Sequence, residues 1–378
     1  MSTIIHSVTL VDDGHLVEDG WVALDGGTVS ARGSGTTWRE RSAAEAVDGT
    51  GGLLTPGFID IHGHGGGGAS FDDGPDAIAT ARALHRAHGT TRAVVSLVTA
   101  PVSDLARRVA MVADLAATDP TILGSHLEGP FLDAGHKGAH TEALLRAPDP
   151  ASLDLLVEAG RGTIRQITLA PELPGGLTAV ERLVESGVRV AVGHTGATEE
   201  QTRAAFDAGA TLLTHAFNAM PGIHHRAPGP VVAALYDSRV TLEIIADGVH
   251  VHPDVVALAF TAAPGRVALI TDAMAAAGAA DGHYELGGLA VTVADGTARL
   301  DSNGAIAGST LTQDAALRNA VTGGIALPAA VAALTAVPAR ALGCDDRFGT
   351  LRPGTAADAV LLDSDLRVRA VWVDGVRV

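Results

Sequence analysis

Apolar and polar positions follow two different rhythms along this chain. In the first 54 residues they alternate between turn signals, as in Ser7-Val8-Thr9-Leu10-Val11 and in Trp21-Val22-Ala23-Leu24 ahead of Asp25-Gly26. That period of two predicts short antiparallel strands. The C-terminal stretch has the same texture, with Ala359-Val360-Leu361-Leu362 and Ala370-Val371-Trp372-Val373 ahead of Asp374-Gly375. Neither end is large enough to bury a core alone. Residues 1–54 and 345–378 are therefore expected to pair into one small β domain, a β-sandwich built from both termini.

Between the ends, apolar strand-like runs alternate with Ala-rich helical stretches, the mark of repeated βα units around a parallel sheet. Eight runs stand out, at 57–62, 92–99, 121–127, 164–170, 189–193, 210–215, 240–246 and 266–271. Eight units close a barrel, so the expected α/β fold is a (β/α)8 TIM-like barrel over 55–344, with its chemistry at the C-terminal ends of the strands. A hydrophilic insertion near 283–300 reads as a hairpin after the eighth run, because Leu289-Ala290-Val291-Thr292-Val293 alternates and Ala294-Asp295-Gly296 can turn it. The uncharged stretch 319–339 invites a membrane reading. Gly323, Gly324, Pro328 and Pro338 interrupt it, and a helix starting at Pro328 is expected instead.

Composition narrows the function. With 378 residues, 47% of them hydrophobic, the chain can bury a large core without staples. Its 26 Lys+Arg against 43 Asp+Glu leave a net charge of -17, which argues against a nucleic-acid partner. Cys344 is the single cysteine, so neither a disulfide framework nor a thiolate zinc cluster is expected. The start of the chain lacks the cationic and apolar regions of a signal peptide, and a cytoplasmic location is expected. The 16 histidines outnumber the 7 Phe, 3 Trp and 2 Tyr together, which points to imidazole used for chemistry or metal.

Six polar residues fall at the ends of the predicted strands. His62 and His64 close the first run, Glu128 the third, His194 the fifth, His215 the sixth and Asp272 the eighth. In an extended strand His62 and His64 project to the same side, so both imidazoles can reach one cation. Two more imidazoles and the carboxylates complete a nitrogen and oxygen set suited to a divalent transition metal such as zinc. Asp272 can act as ligand, as general base for a water, or as both. A lone His-x-His is ordinarily incidental; the weight comes from six such residues on one rim. His85 and His88 lie in a helical stretch and are expected to be solvated, while His6, His15 and His283 sit in β segments and suggest no role. His126 shares a strand face with Glu128 and is expected in the core or behind the ligands.

Pro56-Gly57-Phe58-Ile59-Asp60-Ile61-His62-Gly63-His64 resembles the first-strand signature of the amidohydrolase superfamily, and Ala357-Asp358-Ala359-Val360 its return to the β domain. His126-Leu127-Glu128-Gly129-Pro130-Phe131, Lys137-Gly138-Ala139-His140, Gly193-His194-Thr195, Thr214-His215-Ala216-Phe217-Asn218-Ala219-Met220, Asp247-Gly248-Val249-His250 and Thr271-Asp272-Ala273-Met274 together resemble the N-acetylglucosamine-6-phosphate deacetylase family, nearly end to end. Many binuclear amidohydrolases carry a carbamylated lysine on strand four. Here the only lysine, Lys137, follows strand three, and Glu128 takes that place by resemblance.

The resemblance implies hydrolysis of the N-acetyl group of N-acetylglucosamine 6-phosphate, with His62, His64, Glu128, His194, His215 and Asp272 holding one or two divalent ions, zinc foremost. It implies Asp272 and His140 as the catalytic pair, and Ala139, His140, Asn218, Ala219, Arg226 and His250 as substrate contacts. Arg226 would come from the neighbouring subunit of a homodimer. His224 and His225 receive no role. The residues leave three rivals: a deacetylase of the galactosamine epimer, a deaminase or cyclic amidase on the same scaffold, and a non-catalytic relative.

Overall fold

The computed structural model describes residues 2–378. Its centre is a parallel sheet of eight strands in sequential order: β1 (Phe58–Asp60), β2 (Thr90–Val98), β3 (Ile122–Glu128), β4 (Ile164–Leu169), β5 (Arg189–Val192), β6 (Leu212–Leu213), β7 (Thr241–Ile245) and β8 (Val267–Ile270). All eight expected runs are strands, each shorter than or overlapping its run, and the sheet curls into a TIM-like barrel. The helices between them bury apolar faces against its outside. Pro75–Ala87, for example, begins on a proline, and turns Ile78 and Ala81 inward.

The seam between β1 and β8 is not a regular ladder. The Ile59 and Leu269 amides donate to the carbonyls of Leu334 and Ala333 at 2.8 and 2.9 Å. The buried Gln313 amide reaches across to Ile59 O at 2.9 Å. Above that level Asp272 N donates to His62 O at 2.8 Å, and the Thr271 hydroxyl to Asp60 Oδ2 at 2.6 Å. Burial pushes the Asp60 carboxyl up to about 6, against the bonds it accepts. Side chains thus replace the missing main-chain pairs at the place where the barrel must close.

Both termini enter one eight-stranded sheet. Leu53–Pro56 pairs in parallel with Ser2–Asp12 and antiparallel with Ala359–Leu362, with Pro56 opposite Ala359 and Leu53 opposite Leu362. Its two faces carry separate apolar clusters, one around Ile5, Leu24 and Trp372 and one around Ile4 and Trp21, as a period of two requires. Arg92, buried within β2, ties this sheet to the barrel. Its Nε donates to Asp358 Oδ2 at 2.6 Å, its Nη2 to Asp374 Oδ1 at 2.5 Å, and its guanidinium lies 4.7 Å from the Phe348 ring centre.

Two expectations need correction. The insertion near 283–300 is a three-stranded meander, not a hairpin: Gly282–Leu286, Leu289–Ala294 and Thr297–Leu300. The expected turn at Asp295-Gly296 is present, but Gly287-Gly288, with φ of 56° and 77°, makes a second two-residue turn ahead of it. The meander packs Leu286, Val291 and Leu300 against Val98 and Met274 at the barrel mouth. His85 is buried, not solvated. It bonds Gly65 O at 2.9 Å, and burial lowers its imidazole to about 4. His88 is part-exposed and meets Asp314 at 3.0 Å. In the 319–339 stretch, Leu327–Ala332 carries Pro328 in its first turn, and among the described residues no helix is long and apolar enough to cross a membrane.

Arg92→Met should lower stability by about 3–5 kcal/mol, because it leaves the Asp358 carboxylate buried without its cation. Urea denaturation of the metal-loaded protein measures this.

Candidate metal and substrate site

The six residues expected at the strand ends converge. Glu128 is the last residue of β3. His62 and His64 follow β1, and His194, His215 and Asp272 each sit two residues beyond β5, β6 and β8. The last three have positive φ (48°, 26° and 47°), a conformation that costs a non-glycine residue about 1–3 kcal/mol. It breaks the strand and swings each side chain over the barrel mouth.

Two donor sets share Glu128: His62, His64, Glu128 and Asp272 form one, and Glu128, His194 and His215 the other. In the first, His62 Nε2 lies 3.3 Å from His64 Nε2, 3.3 Å from Glu128 Oε1 and 3.5 Å from Asp272 Oδ1; His64 Nε2 lies 3.0 Å from Glu128 Oε2 and 3.2 Å from Asp272 Oδ1. In the second, the Nε2 atoms of His194 and His215 are 3.0 Å apart and each 3.1 Å from Glu128 Oε1. Ligands about 2.0–2.1 Å from a tetrahedral zinc ion stand about 3.3–3.4 Å from one another. The observed separations match that spacing.

The tautomers fit as well. Glu243 Oε2 accepts from His62 Nδ1 at 3.0 Å, and the carbonyl of His136 accepts from His194 Nδ1 at 2.9 Å. Both ligands are thereby left with an Nε2 lone pair aimed at the cluster. Burial alone would depress the His62 imidazole, but the Glu128 and Asp272 carboxylates overcome it and hold it well above its ordinary range. His64 is carried to about 9 against burial by bonds to Asp272 and Glu128. Burial would raise the Glu128 carboxyl, yet His62 and the bonds from His140, His194 and His215 hold it well below the usual range. Buried lone pairs and carboxylates converging in this way demand positive charge, and a divalent cation answers that demand while releasing protons.

A cavity of about 400 Å³ opens above the cluster, and Ala139, His140, Asn218, Ala219 and His250 line it together with five of the six cluster residues. His140 donates from Nδ1 to Thr99 Oγ1 at 2.8 Å, since that hydroxyl itself donates to Glu128 O. Its Nε2 faces Glu128 Oε2 at 3.6 Å. His250 is held through Nδ1 by Asp247 at 2.6 Å. Arg226 is not brought to this cavity; it stands exposed on the 221–228 loop with His224 and His225. Lys137 pairs with Glu142 away from the cluster.

A polar layer beneath the cluster escaped the sequence reading. Glu243 is wholly buried in β7 and takes a 2.6 Å bond from Gln166 of β4 besides that of His62. The signal was present, because Glu243 is the one charged residue in 240–246. His126 bonds Ser96 at 2.9 Å and Thr168 at 2.8 Å, with its ring edge-on to His62 at 4.5 Å. It lies behind the ligands, as expected.

The amidohydrolase family model matches residues 53–378. The chain belongs to the amidohydrolase family. It is 45% identical to the N-acetylgalactosamine-6-phosphate deacetylase of Escherichia coli O157:H7, over 85% of this chain and 87% of that one. It is 37% identical to the N-acetylglucosamine-6-phosphate deacetylase of Vibrio furnissii, over 85% and 82%. The solved structure of a Mycobacterium smegmatis N-acetyl-D-glucosamine-6-phosphate deacetylase, a mutant in complex with N-acetyl-D-glucosamine-6-phosphate, superposes with a TM-score of 0.95 at 44% identity, covering 100% of this chain and 99% of that one. The single lysine of this amidohydrolase lies off β4, so Glu128 is the group placed to bridge the two donor sets.

Glu243→Gln keeps the size of the side chain but removes the anion behind His62. Metal affinity should fall about 10–100-fold, as read by chelator competition followed by metal analysis.

Proposed function

We propose that this amidohydrolase hydrolyses the N-acetyl group of N-acetyl-D-glucosamine 6-phosphate, giving D-glucosamine 6-phosphate and acetate. The observation that carries the reading is the Asp272 carboxylate, set among buried imidazoles and Glu128 at the floor of a cavity sized for a phosphosugar. Named relatives of high identity and near-complete coverage support it. The nearest second reading is the galactosamine epimer, favoured by the 45% identity to a deacetylase so named.

His62, His64, Glu128, His194, His215 and Asp272 would hold one or two divalent ions, zinc being the expected one. Such an ion supplies a Lewis acid that acidifies water and polarises the acetyl carbonyl. Asp272 Oδ takes a proton from the attacking water as the new carbon–oxygen bond forms. The same carboxyl returns that proton to the amine nitrogen as the carbon–nitrogen bond breaks, so one group serves as base and then acid. His140 stabilises the developing oxyanion from Nε2. Thr99 accepts its Nδ1 proton, so this role requires a second proton on Nε2.

Asn218, Ala219 and His250 bind the phosphosugar, with Ala139 beside His140. Arg226, exposed and outside the lining of its own cavity, fits a contact delivered to a partner subunit's site in a homodimer. Residues 1–54 with 345–378 are assigned to the small β-sandwich domain and 55–344 to the barrel, and the compartment to the cytoplasm.

Asp272→Asn should lower turnover by about 10²–10⁴-fold, the usual share of a general acid and base, while the protein stays folded. Acetate release measured in parallel on the 6-phosphates of N-acetylglucosamine and N-acetylgalactosamine, with wild type and variant, decides both points. Wild-type protein that releases acetate from neither sugar would sink the deacetylase reading, and substantial activity in the variant would remove Asp272 from the proton steps.

A further inference from the structure

Two histidines on the cavity wall are held in the same way. His250 Nδ1 lies 2.6 Å from Asp247 Oδ2, and His136 Nδ1 lies 2.7 Å from Asp133 Oδ2, each aspartate three residues upstream of its histidine. Both residues line the cavity. In each pair the carboxylate accepts a hydrogen bond from Nδ1–H, leaving Nε2 as the free edge. Among the described residues nothing bonds Nε2 of His136, whose side chain is 31% exposed. The mechanism above uses His250 and leaves His136 without a role.

The surroundings of His136 indicate which part of a substrate it faces. Its ring packs on Gly196, where a Cβ would come within 3.1 Å of Cε1. The adjoining Thr195 donates its amide to Ala219 O at 3.1 Å. His136 therefore stands on the wall of the Asn218–Ala219 stretch, not over His62 and His64. Its backbone is equally constrained: Asp133 N donates to His194 O at 2.9 Å, His136 N to Asp133 O at 3.0 Å, and His194 Nδ1 to His136 O at 2.9 Å. Among the described residues lining the cavity there is no Lys or Arg. A phosphate dianion bound there must draw its hydrogen bonds from backbone amides, amide side chains, imidazoles and whatever a partner subunit brings.

We propose that His136, tethered by Asp133, is a further specificity-determining contact, giving the substrate's phosphate a second Asp-held imidazole alongside His250. The proposal rests on the deacetylase reading above. For this the ring carries a proton on Nε2 as well as on Nδ1 and donates from Nε2 to a phosphoryl oxygen, and the Asp133 tether removes the rotamer freedom that a free histidine would lose on binding. The metal-ligand geometry is served by the His136 carbonyl, a main-chain group that survives changes to the ring.

That separation makes the proposal testable on metal-loaded protein with N-acetylglucosamine 6-phosphate and unphosphorylated N-acetylglucosamine. In His136→Ala the kcat/KM preference for the phosphorylated sugar should fall about tenfold, mainly through KM, and inorganic phosphate should weaken as a competitive inhibitor by a similar factor. Asp133→Asn should give a smaller loss of the same kind. His136→Lys, which restores a donor able to reach a phosphate, should recover most of the preference. An unchanged preference in His136→Ala overturns the proposal. So does an equal loss on both sugars with reduced metal content, which would mean that the ring acts only through His194. Calorimetric binding of inorganic phosphate to wild type and His136→Ala tests His136 independently of any acetate release, so failure of the deacetylase reading is distinguishable from failure of this one.

Discussion

The Glu128 carboxylate is the point on which the mouth of the barrel is organised. Its Oε1 lies 3.1–3.3 Å from the Nε2 atoms of His62, His194 and His215, and its Oε2 lies 3.0 Å from that of His64 and 3.6 Å from that of His140. Five imidazoles from four separate parts of the chain therefore meet one buried anion. A carboxylate without partners in such a place would cost several kcal/mol, so the surrounding donors are as necessary to Glu128 as it is to them. Because it sits last on β3, its position is set by the most regular part of the fold. The segments that carry His140, His194 and His215 beyond the strands are then tied to it and not the reverse.

Much of the remaining architecture serves that cluster. Beneath it, β-strand side chains that would be aliphatic in an ordinary barrel interior are polar: Ser96, His126, Gln166, Thr168, Thr214 and Glu243 form a buried hydrogen-bonded floor. The floor sets ring orientation and tautomer, which fixes where lone pairs point. Around the rim, left-handed backbone at His194, His215 and Asp272 stores local strain that the neighbouring strands hold in place. Above it, the three-stranded meander brings Leu286 to the cavity wall beside Val98. The site thus has a polar base and a partly apolar roof, suited to an amide whose reaction benefits from restricted water.

The terminal sheet and the seam play a different part. The barrel is left irregular between β1 and β8, where two cluster-bearing segments leave the sheet side by side. Gln313, the 333–334 carbonyls and the Asp60–Thr271 pair hold that gap. Arg92 then fastens the base of the barrel to the C-terminal strands through Asp358 and Asp374. Closing the barrel with side chains frees the upper ends of β1 and β8 to present His62, His64 and Asp272 to one another.

The one-dimensional pattern was enough for the eight barrel strands, the β character of both ends and the six residues of the cluster. The reason is that strand ends in a closed barrel share one rim, so position along the chain converts directly into position in space. It could not show that Gln313 and the 333–334 turn replace a ladder at the seam, that Gly287-Gly288 adds a third strand to the insertion, or that His85 is buried. Each depends on which surfaces pack together. Glu243 and His136 mark the boundary most clearly. Glu243 was visible as a lone charge in an apolar run, but only the fold puts Gln166 and His62 against it. Nothing in the sequence pattern singles out His136, and only the tertiary structure sets it beside Gly196 on the cavity lining with Asp133 on its Nδ1. Periodicity reports on the neighbours a residue has along a strand, whereas hydrogen-bond partners are chosen by distance in space across segments that the sequence keeps far apart.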